Sequence, residues 1–206
     1  MSDEKVSLRQ LDLLKEIGSI GSASAATALS ELINNQVDIV VPQVQLVPLD
    51  HIADLLGGME KIYFVSVLEI NGDIEGTIFL LFSLEHSKHL VEALLKKINE
   101  TGGMDVDDEM FQSCIKESAN ILCGAYVSAL AEMANFNIGT SVPFLARDMV
   151  GAILDFIFIN LATEVENAVV IKTDVNVSGS SIEGLFLLFP NGQSLKKIFD
   201  TFGLKE

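Results

Sequence analysis

The chain has 206 residues, enough to bury one good core or two small ones, and with 49% apolar and 20% charged residues it is expected to fold unaided. Thirteen basic residues stand against 29 acidic ones, a formal charge of −16, so no basic stripe exists to neutralise a phosphate backbone or an anionic bilayer. Nucleic acid and membrane insertion are excluded as expectations, and a partner presenting Lys or Arg is favoured.

In chain order, residues 8–34 carry Leu11, Leu14, Ile17 and Ile20 at helical spacing and predict a long helix. Short β-branched runs follow at 37–41, 44–47, 62–70 and 74–82, punctuated by Pro42, Pro48 and Asn71-Gly72, the last a hairpin signal. A helix over 86–100 closes the first half. Two glycines and acidic residues at 101–105 mark a boundary. A second long helix spans 108–134, with Ile115, Leu122, Tyr126 and Leu130 in phase; strands are predicted at 136–142, 165–177 and 182–189 and a last helix at 193–202. The apolar stretch 149–162 is too short to span a bilayer, which takes about 20 residues, and reads as a buried or partner-facing helix.

The chain is written twice. Asp12, Glu16 and Ser19 recur at an offset of 101 as Ser113, Glu117 and Asn120, and in each copy a proline follows 23 positions later, Pro42 and Pro143. Ile74-Glu75-Gly76 reappears as Ile182-Glu183-Gly184, but the apolar run behind it is one residue shorter, so either a bulge absorbs a slip or the match is partly fortuitous. The fold expected is α/β, of the α+β kind: two pseudo-symmetric halves of helix, strands and helix, sharing a largely antiparallel sheet, with two long site-bearing helices. One domain over 1–206 is expected, made of repeats 8–103 and 107–204.

Positions i, i+4 and i+7 lie along one helical stripe, so Ser113, Glu117 and Asn120 project side by side, as do Asp12, Glu16 and Ser19. A single stripe is what any amphipathic helix carries; its duplication together with the proline is not. These residues resemble the CheC, CheX and FliY family of response-regulator phosphatases, whose signature is Asp or Ser, three residues, Glu, two residues, Asn, twenty-two residues, Pro. The resemblance covers essentially the whole chain and implies an aspartyl-phosphate phosphatase, a hydrolase acting on a phosphorylated CheY-like regulator in chemotaxis. It implies that Asn120 orients the attacking water and Glu117 docks the partner, with Ser113 and Pro143, and in the first half Asp12 and Pro42, supporting the motif. Glu16 and Ser19 would form a degenerate second site, because a hydroxyl lacks the paired donor and acceptor of an amide. No cofactor of its own is implied; magnesium is expected on the regulator.

Other chemistry is poorly represented. His86 and His89 are three apart, yet His51 is distant and no carboxylate stands in register, so no metal site is assigned. Neither a nucleophile elbow nor a phosphate-cradling glycine loop is present. Cys114 and Cys123 are nine residues apart on one helix, about 13 Å of rise, too far for a disulfide, and read as free thiols in a reducing, cytoplasmic setting. Residues 1–6 are polar and predict no secretory leader. The alternative function is an adaptor that binds and regulates a CheD-type receptor glutamine deamidase through residues 148–161. A flagellar switch component is a third, weaker reading.

Overall fold

The computed structural model describes residues 6–99, 108–161, 167–177 and 179–204. The predicted boundary at 101–105 lies outside them. Helix α1 (Leu8–Ile33) opens with a capping box, the Ser7 hydroxyl accepting from the Gln10 N–H at 3.3 Å while Gln10 Oε1 accepts from the Ser7 N–H at 2.7 Å. It closes on Asn34 in the left-handed region at φ 48°. Strand β1 (Val37–Pro48), a short 3-10 turn, α2 (Ile52–Leu55), β2 (Ile62–Gly72), β3 (Gly76–Ser83) and α3 (Leu84–Asn99) complete the first half. The second half repeats the order with α4 (Asp108–Ala134), β4 (Ile138–Thr140), β5 (Phe144–Met149), α5 (Val150–Leu161), β6 (Asn167–Val177), β7 (Ser180–Pro190) and α6 (Gly192–Thr201).

All pairings are antiparallel, in the order β1-β6-β7-β3-β2 with β4 and β5 both on the outer side of β2. Exchanging the halves reproduces this order. Each half therefore gives its first strand to the other half's hairpin: β1 pairs with β6, and β4 and β5 pair with β2. The offset of 101 persists in three dimensions, since α4 ends 101 residues after α1, Asn135 repeats the left-handed cap of Asn34 at φ 54°, and β5 ends 101 residues after β1.

Both faces of the sheet are covered, which is why β3 and β7 read as continuous apolar runs rather than alternating ones. On one face lie α1, α3, α4 and α6, around Leu29, Leu80, Phe82, Ile115, Leu122 and Phe186; on the other, α2 and α5 cover Val65, Phe79, Leu81, Leu187 and Phe189. The Ile-Glu-Gly match holds face for face at its even offset of 108, because Ile74, Ile78 and Leu80 share the long-helix face with Ile182, Phe186 and Leu188. No bulge is needed between β3 and β7; the closing phenylalanines Phe82 and Phe189 simply face opposite ways.

Three strand expectations are corrected. Residues 37–41 and 44–47 form one strand, because Pro42 sits exposed on the sheet edge where a register shift between Val40 and Gln43 absorbs its missing N–H. The strand at 136–142 shrinks to Ile138–Thr140, and Pro143 separates it from β5, which sequence periodicity does not reveal. Asn71 and Gly72 do not form the tight turn: they continue β2 and pair with β4, and the chain reverses over 73–75. Gly72 is required there, with φ 122° and the Asn137 carbonyl oxygen 2.2 Å from where a Cβ would stand.

Candidate functional site

The two stripes sit on the helices that pack against each other across the centre of the molecule. Between residues 18 and 28 the small side chains of α1 divide by face: Gly18, Gly21, Ser22 and Ala25 point inward and are buried, whereas Ser19, Ala23 and Ser24 are exposed. A Cβ at Gly21 would stand 2.8 Å from Tyr126 Cα, so the inward small residues exist to let α4 approach. Tyr126 fixes the contact. Its hydroxyl lies 3.0 Å from Thr173 Oγ1 and 2.9 Å from Ser22 Oγ, and Ser22 donates to the Gly18 carbonyl at 2.7 Å, a satisfied chain joining sheet, α4 and α1. Burial pushes the Tyr126 hydroxyl pKa up, so the group stays a neutral donor and acceptor.

With those contacts facing inward, Ser113, Glu117 and Asn120 are all exposed along α4, and Asp12, Glu16 and Ser19 along α1. The outward-facing residues of each stripe differ in what they already bind. Ser19 donates its hydroxyl proton to the Lys15 carbonyl at 2.8 Å and Ser113 does the same to Glu109 at 2.9 Å. Among the described residues, the carboxylate of Glu117 and the amide of Asn120 have no hydrogen-bond or ion-pair partner, so both are free to engage another molecule. Pro42 interrupts β1 next to Val41, whose methyls lie 3.6 and 3.7 Å from a Cβ built on Gly18, so β1 packs beside the buried face of α1 one residue from the proline. Pro143 occupies the gap between β4 and β5, which flank α4.

Each copy of the motif falls inside a family match. The model of the CheC-like family matches residues 10–46, holding the first stripe and Pro42, and that of the chemotaxis phosphatase CheX matches residues 64–153, holding the second stripe and Pro143. Over 202 residues the chain is 28% identical to the CheY-P phosphatase CheC of Bacillus subtilis, covering 94% of each. These matches make the chain similar to the CheC-like and CheX families. The flagellar motor switch phosphatase FliY of B. subtilis is 28% identical over 141 residues, which is 68% of this chain and 36% of that protein. The fold is that of the FliY crystal structure from Thermotoga maritima, matched with a TM-score of 0.73 at 21% identity over 98% of this chain and all of the other.

Relative to that family signature, the second stripe is complete and the first carries Ser19 in place of Asn. Both cysteines are free; Cys123 is buried and Cys114 half-buried, and burial pushes both thiols up, away from the reactive thiolate. His86 Nδ1 lies 3.1 Å from the Glu183 carbonyl oxygen, and among the described residues no three His, Cys, Asp or Glu side chains gather as metal ligands. No helix among them is long and apolar enough to cross a membrane. The segment 148–161 is not one helix: Asp148 and Met149 end β5, and α5 begins at Val150. One grouping escapes sequence reasoning altogether. Arg147 on β5 stands over the Phe64 ring at 5.8 Å, and Phe111 of α4 packs on the same ring at 5.2 Å.

Proposed function

We propose that this chain accelerates hydrolysis of the aspartyl phosphate on a CheY-like response regulator, with the second stripe as its working site. The observation that carries this reading is the pairing of Glu117 and Asn120, exposed and unpartnered on consecutive turns of α4, in a chain similar to the CheC and CheX families. Lacking a nucleophile of its own at the site, the chain borrows the partner's phosphorylated aspartate and the magnesium bound beside it. Hydrolysis requires a water in line with the leaving carboxylate; its oxygen forms the new bond to phosphorus as the bond to the aspartyl oxygen breaks. Asn120 enters the partner's site and holds that water through its amide, contributing orientation rather than proton abstraction. Glu117, one turn earlier, pairs with a cationic side chain near the phosphoaspartate, a charge-assisted contact worth about 1.5–3 kcal/mol. Glu16 keeps the docking function in the first half, while Ser19 orients water poorly. The Ser113 hydroxyl is already engaged by Glu109, which suits a supporting role.

The test is the decay of a phosphorylated CheY-type regulator in magnesium, with and without the protein. Asn120→Ala is expected to return decay to the intrinsic rate, and Ser19→Ala to leave most of the acceleration. Absence of acceleration by the wild-type chain would overturn the reading.

A second reading has its own observation. Helix α5 buries Val150, Ile153, Leu154 and Ile157 against the sheet but leaves Phe156 51% and Ile159 79% exposed, with Phe158 beside them. An outward apolar face on a helix already anchored in the core suits a docked protein, and a CheD-type glutamine deamidase is the partner we assign to it. Asn120→Ala should abolish hydrolysis and spare deamidase binding; loss of both in that variant would sink the separation of the two surfaces.

A further inference from the structure

We propose that Arg147 is a docking residue of the second site, gripping a carboxylate on the surface of the phosphorylated regulator; this rests on the phosphatase reading above. Arg147 is exposed on the outer strand β5, opposite Phe64 of β2 in the pairing register, and its guanidinium is held over the Phe64 ring. Phe111 of α4 presses on the same ring, which places Arg147 level with the first turn of α4, beside the start of the Ser113 stripe. The guanidinium has no ion pair or hydrogen bond among the described residues. The neighbouring carboxylate, Asp148, is turned onto its own chain, accepting from the Met149 N–H at 2.8 Å. An arginine preorganised on an aromatic face and left without a counter-ion, in a chain of net charge −16, is a cation held ready for another molecule's anion.

Distance decides what it does there. At 1.5 Å of rise per residue, Glu117 lies about 9 Å and Asn120 about 14 Å further along α4 than Phe111. The phosphoryl group at Asn120 is therefore beyond the reach of the Arg147 side chain. A partner of ordinary size covers about 800 Å², a patch about 30 Å across, so one seated on Glu117 and Asn120 extends over Arg147. Arg147 thus acts on partner capture and not on the reacting atoms. At the repeat offset of 101 its counterpart is Leu46, half-buried on β1, so the first half lacks this cation as well as the asparagine.

Steady-state hydrolysis over a range of regulator concentrations tests this, together with calorimetric titration of the full chain with the regulator carrying beryllofluoride in place of the phosphoryl group. Arg147→Ala and Arg147→Met are expected to raise KM and the titrated Kd about five- to tenfold, leave kcat within about twofold, and flatten the salt dependence; Arg147→Lys restores part of the loss. Wild-type KM, Kd and salt dependence in Arg147→Met would overturn the proposal while leaving the phosphatase reading intact. Tight wild-type titration without hydrolysis would end the phosphatase reading and leave the Arg147 contact standing or falling on Kd alone. No titration by the wild-type chain would end both.

Discussion

Asn120 and Ser19 occupy the same place in the two copies, and their side chains differ in what they are free to do. The Ser19 hydroxyl has spent its proton on the Lys15 carbonyl one turn back, leaving it acceptor lone pairs only, whereas the Asn120 amide keeps both donors and its acceptor. Restoring the amide by Ser19→Asn should therefore raise the turnover per chain, up to about twofold if the two sites became equal in orienting water. Regulator decay measured in the Asn120→Ala background isolates that gain, and no recovery there would mean that the first half fails in docking as well. Arg147 sharpens this second possibility, because its counterpart Leu46 offers no charge.

At the scale of elements, the approach of α1 to α4 rests on one glycine that must be small and leaves another that need not be. A methyl at Gly21 would meet the Tyr126 backbone at 2.8 Å, and backbone cannot rotate away, whereas a methyl at Gly124 meets nothing within 4 Å. Overpacking costs about 1–3 kcal/mol, and glycine to alanine in a helix interior recovers up to about 1 kcal/mol. The two substitutions should therefore carry opposite signs: Gly21→Ala lowers the melting temperature, and Gly124→Ala raises it by about 2–4 °C, the scale of 1 kcal/mol in a chain of this size. Thermal unfolding of the two variants side by side checks both. Tyr126→Phe removes the group that links Ser22 and Thr173 and should destabilise by about 1–2 kcal/mol without touching the exposed stripes.

At the scale of the whole molecule, the exchanged edge strands bind the halves into one body. Either half alone would lose the strand that completes its hairpin and expose the strand edges paired between β3 and β7, so separate halves should fail to unfold cooperatively in denaturant while the intact chain shows one transition. Asp73 adds an acid-sensitive clamp between the halves. Its carboxylate accepts from the Asn137 N–H at 2.8 Å and from Lys197 at 3.0 Å, and these contacts, the backbone hydrogen bond foremost, hold its pKa below the usual carboxylate range. A depressed carboxylate contributes stability above its unfolded pKa and loses it as pH falls through the folded one. Asp73→Asn should therefore flatten the acid branch of the stability profile, less stable than wild type at neutral pH and converging on it in acid; an unchanged acid branch would assign the clamp no weight.

The two long helices, their stripes and the duplication were legible in the chain because helical spacing is local: residues four and seven apart must share a face whatever surrounds them. The pairing of halves was legible only as a kinship, since nothing within a strand states which edge it will complete, and the exchange of β1 with β4 and β5 is settled by long-range packing. Pro42 and Pro143 were visible as breaks, but both fall on outer strands, and only the assembled sheet decides that a register shift carries β1 through Pro42 while Pro143 separates β4 from β5. For the same reason β5 and the Arg147, Phe64 and Phe111 cluster could not be read in advance. Their members are separated by tens of residues, and only the folding of β5 and α4 onto β2 brings cation and rings together.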